Sequence, residues 1–106
     1  VWTSRDGLTW SRVPHDEAVL GGAGWEAMAG VVVRSSGLVA VGEDSEAGDL
    51  RAAAVWTSRD GLTWTRAPHD EAVFGDARMT GVVSWGGGLF AFGSSRGAAF
   101  AAWNAR

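Results

Sequence analysis

The sequence predicts an all-β protein built from repeated antiparallel sheets. Three observations lead there: a near-verbatim internal repeat, short apolar runs rich in Val, Trp, Thr and Phe, and Gly-bearing turns between the runs. Residues 1–20 read VWTSRDGLTWSRVPHDEAVL and residues 55–74 read VWTSRDGLTWTRAPHDEAVF. They differ only at Ser11/Thr65, Val13/Ala67 and Leu20/Phe74. The likeness continues, with MAGVVVRSSGLVAVGEDSEAG (28–48) matching MTGVVSWGGGLFAFGSSRGA (79–98). A degraded third copy begins at Phe100, where FAAWNAR aligns with AAVWTSR from Ala53. Self-similarity at a period of about 50 residues marks an array of identical supersecondary units.

The runs sort into four strand types. The first type covers 27–34 and 78–85, and the second 38–43 and 89–93. The third covers 52–58 and 98–104, with a partial copy at 1–4, and the fourth 8–13 and 62–67. Turns at Arg34-Ser35-Ser36-Gly37, Trp85-Gly86-Gly87-Gly88 and Arg59-Asp60-Gly61 join them, and such short Gly-containing connections suit antiparallel hairpins. A helical reading fails, because Gly interrupts both copies of the first two strand types, at Gly30, Gly42, Gly81 and Gly93. Val31-Val32-Val33, Leu38-Val39-Ala40-Val41 and Leu89-Phe90-Ala91-Phe92 are unbroken apolar runs, which predicts burial on both faces. Leu62-Thr63-Trp64-Thr65-Arg66 alternates in polarity, as a half-exposed edge does. Buried inner strands with an outer strand facing water describe the four-stranded blade of a β-propeller. The chain then forms a single unit of two blades, from repeats 1–54 and 55–106, with strands exchanged at the ends.

Composition narrows the function classes. The net charge of −3 argues against binding a phosphate backbone, which needs a basic surface. No apolar run approaches the ~20 residues of a membrane span. There is no Cys, so neither a disulfide nor a thiolate zinc site contributes. All nine basic residues are Arg, and Tyr, Ile and Gln are absent as well. Catalysis through Tyr or Lys is therefore excluded for this chain. Of the seven Trp, Trp2, Trp56 and Trp103 are repeat equivalents, as are Trp10 and Trp64, and these five read as structural.

The turn TSRDGLTW, at 3–10 and 57–64, resembles the Asp-box, or bacterial neuraminidase repeat, whose pattern is Ser/Thr-x-Asp-x-Gly-x-Thr-Trp. Thr3, Gly7, Thr9 and Trp10 fit it, as do Thr57, Gly61, Thr63 and Trp64. Arg5 and Arg59 stand at the usual Asp position, and the acid moves one place on, to Asp6 and Asp60. The resemblance covers nearly the whole chain and implies blades with this hairpin between their third and fourth strands. It also implies a bacterial protein in a secreted or cell-surface setting. The chemistry of the turn is structural. A carboxylate accepts backbone N–H bonds, Gly supplies φ > 0, and Trp buries a large area. Members of this family that are sialidases use a Tyr nucleophile, which this chain lacks, and the expectation is no catalysis and no cofactor.

In a blade of this topology the box turns share one face with the first-to-second-strand turns. The opposite face holds Pro14-His15-Asp16-Glu17, Pro68-His69-Asp70-Glu71, Trp25-Glu26 and the acidic stretch 43–49. The repeated His-Asp-Glu is the leading ligand-binding candidate: His15, Asp16, Glu17, His69, Asp70 and Glu71 form a ring that binds cations, polar sugars or a basic partner. The competing reading is a short helical turn with acids near its N-terminus, anchored by Leu20 or Phe74, and it is the one favoured. Three adjacent residues rarely converge on one metal ion, and neither HExxH nor EF-hand spacing is present. Trp25 is the candidate exposed aromatic, Trp85 a core or rim residue, and the acidic stretch a solvated insertion.

Two blades do not close a ring, since typical propellers have about 4–8. The expectation is a homo-oligomer, or a piece of a longer propeller, in which Val1–Val13 completes the last blade of another copy. Val1–Ser4 and Ala101–Asn104 both claim the third-strand position, which favours the longer parent unless one is displaced. The functional expectation is a scaffold or binding platform with a carbohydrate or protein ligand. The alternatives are a lectin-like propeller and a fragment of a sialidase-like glycosidase.

Overall fold

A computed structural model describes residues 1–13, 25–46, 50–67, 76–86, 88–95 and 98–105. These residues form antiparallel sheets, and no helix occurs among them. A two-stranded hairpin pairs β1 (Trp2–Thr3) with β2 (Ser11–Arg12). A four-stranded sheet runs in order through β3 (Trp25–Arg34), β4 (Gly37–Glu46), β5 (Leu50–Ser58) and β6 (Thr65–Arg66). A three-stranded sheet follows, of β7 (Ala77–Trp85), β8 (Gly88–Ser95) and β9 (Ala98–Ala105).

The sheets and the sequence repeats are out of phase. The four-stranded sheet takes β3 and β4 from residues 1–54 and β6 from residues 55–106, while β5 spans the seam. Hairpin β1–β2 is the counterpart of β5–β6. Val13 N donates to Val1 O and Ala67 N to Val55 O, each at 2.8 Å, so both ladders extend by the same bond.

Local chemistry sets the register. The β3–β4 turn is tight, with Arg34 opposite Gly37. Gly37 sits at φ +132°, and a Cβ there would lie 2.2 Å from the Ser58 carbonyl oxygen, so only glycine fits. Each inner strand carries a bulge at the same point, between Met28 and Gly30 and between Met79 and Gly81. A bulge adds one residue and re-aims the chain. Met28 and Val31 therefore share one face of β3, with Gly30 and Val32 on the other.

Two apolar clusters hold the sheets together. Val41 and Ala53 of the four-stranded sheet pack with Ala77, Met79 and Ala91 of the three-stranded sheet. At their centre β3 meets β7 backbone to backbone, since a Cβ on Gly30 would lie 3.3 Å from Gly81 Cα. On the other face Ala40, Ala54, Trp56 and Trp64 pack with Val13 from the hairpin.

Three expectations are corrected. The fourth strands are only two residues long, because Leu62–Trp64 belongs to the turn rather than to the ladder. The apolar runs are buried on both faces only on β4, where Val39, Ala40 and Val41 are all buried, whereas Val31, Val33, Val83, Phe90 and Phe92 are exposed. The two sheets stack through one face each, which leaves alternate side chains of the same runs facing outward. The acidic stretch is not wholly a solvated insertion either. Glu43–Glu46 continue β4, and Asp44 and Ser45 are buried.

Candidate functional site

The twin turns are the most repeated chemical feature of the molecule. In the first, the Leu8 and Thr9 amides both donate to Asp6 Oδ1, at 2.8 and 2.9 Å. Gly7 N donates to Ser4 Oγ at 2.8 Å, and Ser4 Oγ donates to Asp6 Oδ1 at 3.2 Å. The Trp10 indole donates to Gly7 O at 3.2 Å. The second turn repeats every bond. Leu62 and Thr63 donate to Asp60 Oδ1, Gly61 to Ser58 Oγ, Ser58 to Asp60 Oδ1, and Trp64 to Gly61 O. Gly7 and Gly61 take φ of 77° and 79°, the left-handed region that glycine enters without a Cβ penalty. The Thr9 amide, then the Leu8 amide, hold the Asp6 carboxyl below its ordinary range, and Thr63 and Leu62 do the same for Asp60. Such a carboxylate stays ionised and serves as an acceptor rather than as an acid catalyst.

The two copies differ in their surroundings. Trp64 is 8% exposed, within the cluster of Ala40, Ala54 and Trp56, whereas Trp10 is 59% exposed. Thus the expectation that both tryptophans bury a large area is corrected for Trp10. The reason is that β3 and β4 lie beside β5–β6, and among the described residues no strand pairs the free side of β1.

A second constellation was not anticipated from the sequence. Arg66 on β6 lies over the Trp56 ring, 5.3 Å from its centroid. Its Nη1 donates to Glu26 Oε1 at 3.2 Å and its Nη2 to Asp44 Oδ2. One guanidinium thereby ties β3, β4, β5 and β6 together. The register allows it: Glu26 stands opposite Asp44, and Trp56 opposite Arg66. Asp44 Oδ1 and Arg66 Nε are buried without a hydrogen-bond partner among the described residues, which reduces the net gain from the pair. The signal in the sequence was weak. Arg12 and Arg66 are repeat equivalents, but the carboxylates stand in the first copy only, where the second has Ala77 and Ser95. Arg12 keeps the ring contact, at 5.7 Å from the Trp2 centroid.

A cleft of about 660 Å³ lies between the hairpin and β3, bordered by Trp2, Arg12, Met28, Val31 and Trp56 among others. The remaining candidates are not drawn together here. His15, Asp16, Glu17, His69, Asp70 and Glu71 lie outside the described residues. Trp25 opens β3 opposite Ser45, and Trp85 closes β7 opposite Gly88, but their side chains are also outside the description. Among the described residues no cluster of three or more His, Asp or Glu is arranged to hold a metal ion.

The fold and turns define an all-β protein of stacked antiparallel sheets with duplicated carboxylate-locked hairpins. Comparison with family models, with curated proteins and with solved structures returns no match.

Proposed function

We propose that the chain is a non-catalytic β-propeller module of Asp-box type, a scaffold and binding platform that assembles with like units into a closed ring. One observation carries this reading: β3–β6 and β7–β9 stack face to face through repeat-equivalent strands. Strands stacked in this way are what radial blade repetition requires, and the hairpin at the outer edge of the four-stranded sheet is duplicated by β1–β2. The turn carboxylates support a structural role, because their acceptor capacity is directed to the hairpin's own amides.

Light scattering on a sizing column tests assembly, and a fluorogenic sialoside tests catalysis. The expected results are a discrete mass of roughly two to four chains, which at two blades each matches the usual range of about 4–8, and no hydrolysis. A single-chain mass of 11.1 kDa would remove the ring, and turnover of the sialoside would remove the non-catalytic reading.

A further inference from the structure

The interface in the middle of the molecule has unequal counterparts at its two ends. On the four-stranded sheet, Gly30 pairs with Val41 and Val32 with Val39, and this face is covered by the three-stranded sheet. Val41 is accordingly 2% exposed. The equivalent pairs on the three-stranded sheet are Gly81 with Phe92 and Val83 with Phe90. Here Val83 is 48% and Phe92 38% exposed. The opposite partner in the middle interface is the face of β7–β8 bearing Met79, Val82 and Ala91. Its equivalent on β3–β4 bears Met28, Val31 and Ala40. The hairpin packs over the part of that face that carries Ala40, Ala54, Trp56 and Trp64, and Met28 is partly buried against the same cluster. The β3 half borders the cleft, and Val31 and Val33 on it are 59% and 74% exposed.

We propose that a second copy of this chain docks head to tail, laying the Met28–Val31 face of its β3 against the Val83–Phe92 face of the first. The molecule itself shows what covers such a face, because by repeat equivalence the two free faces are the halves of its own central joint, with one difference: β9 of the first copy and β1 of the next fall on the same third-strand position, so docking displaces one of them. The strands concerned are nearly the same, MAGVV at 28–32 and MTGVV at 79–83. The glycines that let β3 and β7 touch recur in the new contact, as Gly81 of one copy against Gly30 of the next. The outer face is bulkier than the inner one, with Phe90 and Phe92 in place of Val39 and Val41. The cleft beside β3 supplies the added room. The Phe92 ring lies over Gly81, where a Cβ would come within 2.5 Å of it, and it turns outward into that cleft on docking. The contact joins unlike surfaces, so it propagates and closes a ring when the rotation permits. This rests on the ring reading above and assigns its interface.

The test uses the full chain with Phe92→Glu and Val31→Glu, each at an exposed position, measured by light scattering across a concentration series. Each variant alone is expected at the single-chain mass of 11.1 kDa, having lost one face. Mixed in equal amounts they form a two-chain species and nothing larger, since each retains the face the other lacks. Formation of that species also shows that both variants fold. Should either glutamate unfold the chain, Phe92→Ser and Val31→Ser replace them, with the same pairing expected on mixing. A wild type that assembles while either variant keeps its mass overturns the assigned faces and leaves the ring standing on another interface. The same holds if the mixture fails to pair. A wild type that stays single-chain throughout overturns both.

Discussion

Asp60 and Asp6 each hold a hairpin through a single carboxylate oxygen, and the consequence is a defined response to acid. Their folded-state values are lowered by the amides of Thr63 and Leu62, and of Thr9 and Leu8. A lowered carboxyl stabilises the folded turn fully above the unfolded value of ~3.9. That contribution disappears as pH falls through the lower folded value. Amide chemical shifts of Leu62 and Thr63 are expected to titrate below ~3.9, and Asp60→Asn to abolish the inflection. A midpoint at or above the ordinary value would contradict the hydrogen-bonding account. The acid and the glycine were legible in the sequence because turn chemistry is local. Ser4 and Ser58 open the shifted Ser-x-Asp-Gly pattern, a spacing that lets the hydroxyl bridge the carboxylate and the next amide. Asp44 was misassigned to a solvated stretch because its partner, Arg66, lies 22 residues away and is brought near only by pairing across β4, β5 and β6.

At the scale of elements, the two repeat-equivalent arginines form a built-in comparison. Arg66 is tied to two carboxylates and a ring, and its side chain is 23% exposed. Removing one partner of a largely buried ion pair strands the charges left behind, so Arg66→Ala is expected to cost about 3 kcal/mol. Arg12 is exposed and among the described residues has the ring alone, so Arg12→Ala is expected to cost about 0.5–1 kcal/mol. Urea unfolding of both variants checks the contrast, and equal losses would show that the carboxylates add nothing. Strand types and their order were readable from the sequence, since β-branched runs broken by glycine leave few alternatives. The lengths were not. Leu8–Trp10 and Leu62–Trp64 have strand composition, yet the Asp carboxylate captures their amides and takes them out of the ladder.

For the molecule as a whole, cohesion depends on the joint between the two larger sheets. Met79 is buried in it with Val41, Ala53, Ala77 and Ala91, whereas its repeat equivalent Met28 is only partly buried beside the hairpin. Met79→Ala is expected to cost about 3 kcal/mol through lost burial and the cavity left behind, and Met28→Ala distinctly less. Calorimetric unfolding of the two variants decides it, and the reverse ranking would show that the hairpin contact is the stronger. Stacking of repeated sheets was foreseeable from the repeat itself, because one unit cannot bury its apolar face alone. Which faces remain open was not, since Val31 and Val41 look alike in sequence yet face opposite sides of the four-stranded sheet. The His-Asp-Glu motifs are legible as a pattern but stand outside the described residues.

The half-step offset between sequence repeat and sheet bears on how such a chain changes length. Residues 1–20 and 55–74 differ at only three positions, so joining any point in the first block to the matching point in the second removes one repeat. The join then falls in the hairpin segment that both copies supply. The new junction joins a hairpin to inner strands in the order already used, and every sheet that survives is whole. Loss of one repeat at this point therefore leaves a hairpin followed by the whole three-stranded sheet, and no ladder is cut.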